Sequence, residues 1–80
     1  MDREPVQSSN LASVGYDIST SVLEIEFLNG GVYQYYGVPA QVHEGLMNAG
    51  SKGIYFNQNI KNGGYAFLLY FPSFSFIYIF

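Results

Sequence analysis

The clearest alternation of apolar and polar positions in the chain is Val22-Leu23-Glu24-Ile25-Glu26-Phe27. Leu23, Ile25 and Phe27 fall on one side and Glu24 and Glu26 on the other, the period-2 signature of a half-buried antiparallel strand. That spacing places the two carboxylates on a solvated outer face rather than in an acid–base pair. Leu28-Asn29-Gly30-Gly31 follows, and Asn-Gly supplies the positive φ angles of a tight hairpin turn. The next run, Val32-Tyr33-Gln34-Tyr35-Tyr36-Gly37-Val38, is therefore expected to pair antiparallel with 22–27. It points Tyr33 and Tyr35 to one face and Gln34 and Tyr36 to the other. A register slip of one residue would exchange those faces.

Upstream, Ala12, Val14 and Tyr16 alternate with small or polar residues and predict a first strand. Leu11 is out of phase with them, which calls for a bulge or a late start. Residues 1–7 are polar and interrupted by Pro5, and read as a frayed arm; residues 17–21 are turn material. Downstream, Pro39 suits the first turn of a helix, and Val42, Leu46 and Ala49 form one apolar stripe. Gly45 beside the stripe would let this helix approach the sheet, and Gly50 is a candidate left-handed stop. Ser51 can cap a second, shorter helix with Phe56 and Ile60 four apart, weakened by Gly53, before Asn62-Gly63-Gly64 ends the pattern.

These elements predict an α+β fold: a three-stranded antiparallel meander packed against one α-helix plus a short second helix. The expected core is Val14, Leu23, Ile25, Phe27, Val42, Leu46, Phe56 and Ile60, with at least one of Tyr33 and Tyr35. The domain is placed at residues 1–64, with Gly63-Gly64 as a flexible joint to an aromatic tail over 65–80.

Eight tyrosines and seven phenylalanines are present, more than half of them beyond Gly64, where the chain carries no charge. The tail is shorter than the roughly 20 residues that span a bilayer, and Pro72 would interrupt a helix across it. Phe74, Phe76, Tyr78 and Phe80 alternate as a strand would. The tail is expected to add to the domain, as an extra strand on a sheet edge or as an exposed segment that promotes self-association. Membrane anchoring is disfavoured, since no Lys or Arg flanks it. A chain ending at Tyr65 is expected to stay folded.

With no cysteine, neither a disulfide framework nor a thiolate metal site is available, which fits a cytoplasmic protein. The charged start, 1–5, does not resemble a secretory signal. His43 is the only histidine; it has no second metal-ligating partner nearby and no evident nucleophile to activate, so neither a metal site, a cofactor nor an enzyme is predicted. The formal charge is −3, with Arg3, Lys52 and Lys61 the only basic residues. Nucleic-acid binders usually carry a basic patch.

Residues 4–62 resemble the KTSC domain, a small family named for its occurrence at the C-terminus of some lysyl-tRNA synthetases and also found standing alone in bacterial and phage proteins. The resemblance is carried by Val6-Gln7-Ser8-Ser9-Asn10-Leu11-Ala12-Ser13-Val14-Gly15-Tyr16-Asp17, then Leu23-Glu24-Ile25-Glu26-Phe27 and Gly31-Val32-Tyr33-Gln34-Tyr35. It continues through Val38-Pro39, Leu46-Met47-Asn48-Ala49, Ser51-Lys52-Gly53-Ile54-Tyr55-Phe56-Asn57 and Ile60-Lys61-Asn62. Beyond Asn62 the chain departs from the family, whose members end soon after in a short tyrosine- and arginine-containing segment. The family has no established activity, and its attachment to a tRNA-charging enzyme implies RNA as a partner.

Under that implication the candidate RNA contacts are Tyr33, Tyr35, Tyr36, Lys52, Tyr55 and Lys61. Exposed tyrosines offer stacking platforms worth about 1–3 kcal/mol per base. The alternative for Tyr33 and Tyr35 is a tyrosine-faced strand packed under the helix. Ser51, Lys52 and Gly53 with Asn57 and Lys61 suggest either a phosphate contact at a helix N-terminus or a plain helix cap. A protein-interaction or adaptor module built on the exposed aromatics is the second function open to this pattern.

Overall fold

The structure is a computed structural model that describes residues 1–71 and the backbone of Phe76–Ile79. The strands run β1 (Glu4–Pro5), β2 (Leu11–Asp17), β3 (Val22–Phe27) and β4 (Val32–Tyr35). Helices α1 (Ala40–Asn48) and α2 (Lys52–Phe56) follow, the latter continued by a π-helical turn at Asn57–Lys61; β5 (Phe67–Phe71) and β6 (Phe76–Ile79) complete the order. The fold is α+β, but among the described residues the sheet has six antiparallel strands in chain order rather than three. The additional strands flank the expected meander. β1 pairs Glu4 with Val14 and Pro5 with Ser13, and β5 pairs along β4 from Val32↔Tyr70 to Tyr35↔Phe67. Neither carries a period: β1 has two residues, one of them a proline tolerated at sheet edges, and β5 is uninterruptedly apolar.

The alternation in β2 and β3 sets which face is core. Val14 pairs with Ile25 and Tyr16 with Leu23, and the register shifts between Leu11 and Ser13, so the bulge brings Leu11 onto the core face. The β3–β4 hairpin departs from the expected turn, in which both Asn29 and Gly30 would take positive φ. Phe27 N–H donates to Gly31 O (2.8 Å) and Gly30 N–H to Phe27 O (2.9 Å), leaving a three-residue loop in which Gly30 alone takes positive φ, at 92°. Asn29 contributes its side chain instead, Oδ1 accepting from Gly31 N–H at 2.9 Å.

α1 and α2 cover one face of the sheet around Leu11, Val14, Leu23, Ile25, Tyr35, Val38, Leu46, Phe56 and Ile60. Of the expected core, Phe27 and Val42 are half-buried at its margin, as is Tyr33, while Tyr35 is 2% exposed. Leu11, Val32 and Val38 are buried in addition. Gly45 serves a contact between helices rather than between helix and sheet: the Tyr55 ring occupies the space where its Cβ would be. α1 also stops differently from expectation. It ends at an extended Ala49, and Gly50 is not left-handed. The Lys52 ammonium takes over the capping, donating to Met47 O (3.1 Å) and Ala49 O (3.3 Å).

The opposite face corrects two expectations at once. Glu24 is not solvated but 3% exposed, and residues 1–7 are not a frayed arm, since Glu4 and Pro5 pair with β2 and Arg3 is engaged ahead of them. Arg3 Nη1 lies 2.6 Å from Glu24 Oε2, and its Nε donates to Ser13 Oγ (3.1 Å), which donates to Glu26 Oε1 (2.8 Å). Gln34 Nε2 and the Tyr70 hydroxyl donate to Glu24 Oε1 at 2.7 and 3.4 Å. A buried carboxylate needs such partners. Gly15 makes room for the arm: a Cβ there would sit 2.6 Å from the Asp2 carbonyl oxygen.

Candidate functional site

Among the described residues a cleft of ≈ 460 Å³ opens on the helix-bearing side of the sheet. Its walls come from separate elements: Ser9 and Asn10 before β2, Phe27, Leu28 and Asn29 of the hairpin, Tyr33 and Tyr35 of β4, Phe56 of α2, Asn57 and Lys61 of the π-helical turn, and Phe67 of β5. The π-helical turn follows α2 directly, and Phe56 and Ile60 anchor the two to the core. That anchoring places Asn57 and Lys61 at the cleft.

The interior of the cleft is aromatic. Tyr33 and Tyr35 lie side by side with near-parallel rings (centroids 5.9 Å apart, 8° between planes). Phe27 meets Tyr33 edge-on at 5.2 Å, and Phe56 meets Tyr35 edge-on at 5.7 Å. Phe67, the cross-strand neighbour of Tyr35 on β5, packs tilted against both tyrosines at 5.7 and 5.3 Å. Such edge and offset contacts fix ring orientation beyond what area burial does. Burial, with a smaller contribution from neighbouring Tyr33, pushes the Tyr35 phenol well above the ordinary tyrosine value, so it stays protonated and able to donate.

Three of the six candidate contacts, Tyr33, Tyr35 and Lys61, meet at this cleft; the other three do not line it. Tyr36 is on the opposite face, 40% exposed, its hydroxyl donating to Gln34 Oε1 (3.1 Å). Lys52 caps α1, and Tyr55 fills the gap beside Gly45. Ser51 is a helix cap, Oγ accepting from Ile54 N–H at 3.3 Å. Sequence reading passed over Asn10, Asn29 and Phe67, since isolated asparagines carry no pattern and Phe67 sits in an aperiodic apolar run. His43 stacks on Tyr16 (4.7 Å, 12°), and its imidazole is held below the usual value by burial, partly opposed by Glu4 and Glu44. Among the described residues there is no grouping of side chains able to hold a metal ion, and no helix long and apolar enough to cross a membrane.

The KTSC domain family model matches residues 7–65, which is most of the chain. The chain belongs to the KTSC domain family. A crystal structure of a KTSC domain protein from Yersinia pestis superposes with a TM-score of 0.78 at 44% identity, covering 82% of this chain and 92% of that one. An uncharacterised protein of Stutzerimonas stutzeri is 43% identical over 67 residues, 84% of this chain and 94% of its own length. A lysine–tRNA ligase of Nostoc punctiforme is 46% identical over 55 residues. This KTSC chain spans only about a tenth of that ligase's length. The family match ends before β5, so Phe67, which lines the aromatic cleft, lies outside it.

Proposed function

We propose that this KTSC domain is a non-enzymatic, cytoplasmic RNA-binding module that engages single-stranded RNA at the aromatic cleft. The observation that carries this reading is the convergence of Tyr33, Tyr35 and Lys61 on one concavity. Sequence-specific RNA recognition targets unpaired bases stacked on aromatic side chains, and the likeness to part of a lysine–tRNA ligase supports an RNA context. The polar groups of the cleft are phenols, amides, a serine hydroxyl and one ammonium, a set suited to binding. Lys52, engaged at the end of α1, is not part of the contact surface in this reading.

With one lysine at the cleft and a net charge of −3, counterion release contributes little. The log–log salt slope for a single strand should be close to −0.7, the value of about one phosphate contact. The test is an NMR titration with tRNA and short single strands at two salt concentrations. Shifts at Tyr33, Tyr35 and Lys61 with a shallow salt slope are expected; their absence at low salt would end the RNA reading. Leu28, 63% exposed at the cleft rim, favours a second reading in which the cleft takes a hydrophobic side chain of a protein partner.

A further inference from the structure

Three tyrosine hydroxyls are hydrogen-bonded among the described residues: Tyr16 to Val38 O, Tyr36 to Gln34 and Tyr70 to Glu24. That of Tyr35 is not, although Tyr35 is only 2% exposed. Among the described residues no fully sealed side-chain nitrogen or oxygen lacks a partner. The Tyr35 oxygen is therefore not sealed; it reaches open space, and the open space that Tyr35 lines is the cleft. The Tyr35 phenol is thus a hydroxyl with no protein partner at the wall of the cleft, where an entering ligand can supply one.

We propose that the cleft receives one unstacked nucleobase and that Tyr35 is its specificity-determining residue, its hydroxyl bonding the base edge. The inference rests on the RNA reading of this cleft and names the unit recognised. Five lining residues bring polar groups without a side-chain hydrogen bond among the described residues: the Ser9, Tyr33 and Tyr35 hydroxyls, the Asn57 amide and the Lys61 ammonium, whereas Asn10 and Asn29 already accept local hydrogen bonds; of the five, Tyr35 is the one in the buried core. A nucleotide presents in one molecule what these groups and the rings around them ask for. Its flat π surface suits Tyr33 and Phe67, its hydrogen-bonding edge suits Tyr35 and Asn57, and its phosphate suits Lys61. A volume of ≈ 460 Å³ is in the range of small-molecule sites, about 300–1,000 Å³, and admits one such unit rather than a duplex. A site that must satisfy a buried polar group discriminates strongly among ligands that can and cannot do so.

The experiment titrates the full chain with the four nucleoside 5′-monophosphates, the matching nucleosides and a short single-stranded RNA, following backbone amide shifts. It compares wild type with Tyr35→Phe and Lys61→Ala, each checked by thermal melt, with Asn57→Ala as a second edge-contact variant. Wild type should prefer one or two of the four bases, with shifts at Phe56, Asn57 and Lys61. Tyr35→Phe should weaken the preferred nucleotide about 2- to 10-fold and flatten the preference while melting normally. Lys61→Ala should weaken all four nucleotides alike and leave the nucleosides unchanged. Equal binding of all four bases, unaltered by Tyr35→Phe, overturns the proposal. If RNA shifts Tyr33, Tyr35 and Lys61 while the four nucleotides bind alike and Tyr35→Phe changes nothing, the base-reading role is refuted and the RNA reading survives. If mononucleotides bind the cleft and RNA does not, the pocket stands and the RNA reading falls.

Discussion

At the scale of single residues, function and stability draw on different side chains of the same type. Lys61 is at the cleft, whereas Lys52 closes the carbonyl end of α1. Replacing Lys52 with methionine should therefore cost about 0.3–1 kcal/mol of stability and leave RNA affinity unchanged; a selective loss of affinity would move the contact surface to α2. Arg3 and Glu24 make a sharper case. The Glu24 side chain is 5% exposed and that of Arg3 26%, so the pair is shielded on one side only. Arg3→Met leaves a buried carboxylate short of its cation and should cost about 1–3 kcal/mol, with much of the loss recovered in the double variant with Glu24→Gln. A urea melt of Arg3→Met superimposable on wild type would show that the arm is not seated. His43 adds a pH dependence. Its folded-state pKa is below the ordinary histidine value of 6.5, mainly through burial. The unfolded chain therefore takes up the proton first, and the contribution of His43 is complete above about pH 6.5 and is lost as pH falls towards the folded value. Between pH 7.5 and 5.5 the wild-type melting temperature should drop more than that of His43→Gln; parallel drops would place the titration elsewhere.

At the scale of elements, what was legible in the sequence is what has a period. The alternation of β2 and β3, the α1 stripe through Leu46 and the Phe56–Ile60 spacing all describe elements that bury one face and expose another, and the out-of-phase Leu11 is the observed bulge. Periodicity fails where both faces are covered. β5 packs against Tyr33 and Tyr35 on one side and contributes Tyr70 to the Glu24 network on the other, so its sequence is uniformly apolar. Glu24 misled for the complementary reason: alternation says which face a side chain takes but not what arrives later to cover that face. The candidate site was half legible, because Tyr33 and Tyr35 follow from strand phase while Lys61 needed the π-helical turn to bring it round. Leu46, fully buried where α1 meets the core, tests the element that was read most directly. Leu46→Ala should cost about 2–5 kcal/mol; an unchanged melt would mean that α1 turns a different face to the sheet.

For the whole molecule the open question is where the cooperative unit ends. The compositional break at Gly63-Gly64 and the family match to residue 65 both argue for an end before β5. Packing argues for a later one: β5 pairs with β4 over four residues, and Phe67 packs against the two cleft tyrosines. The side chain of Phe67 is only half-buried, so its loss forfeits about 2 kcal/mol of apolar burial, and the backbone groups of β4 lose their partners as well. In a domain of this size each kcal/mol moves the melting temperature by about 4–8 °C. A chain ending at Tyr65 should therefore still fold but melt on the order of 10 °C lower, with the cleft opened along one wall and nucleotide binding weakened. A chain ending at Phe71 keeps β5 and should melt within a few degrees of the full chain. It also lacks Phe74, Phe76, Tyr78 and Phe80, an uncharged alternating segment of the kind that drives edge-to-edge association, so sedimentation should show less self-association than for the full chain. Equal melting temperatures for the Tyr65 and Phe71 chains would make β5 an ornament on a domain complete at Gly64. A loss of the cooperative transition on stopping at Phe71 would instead make β6 part of the core unit.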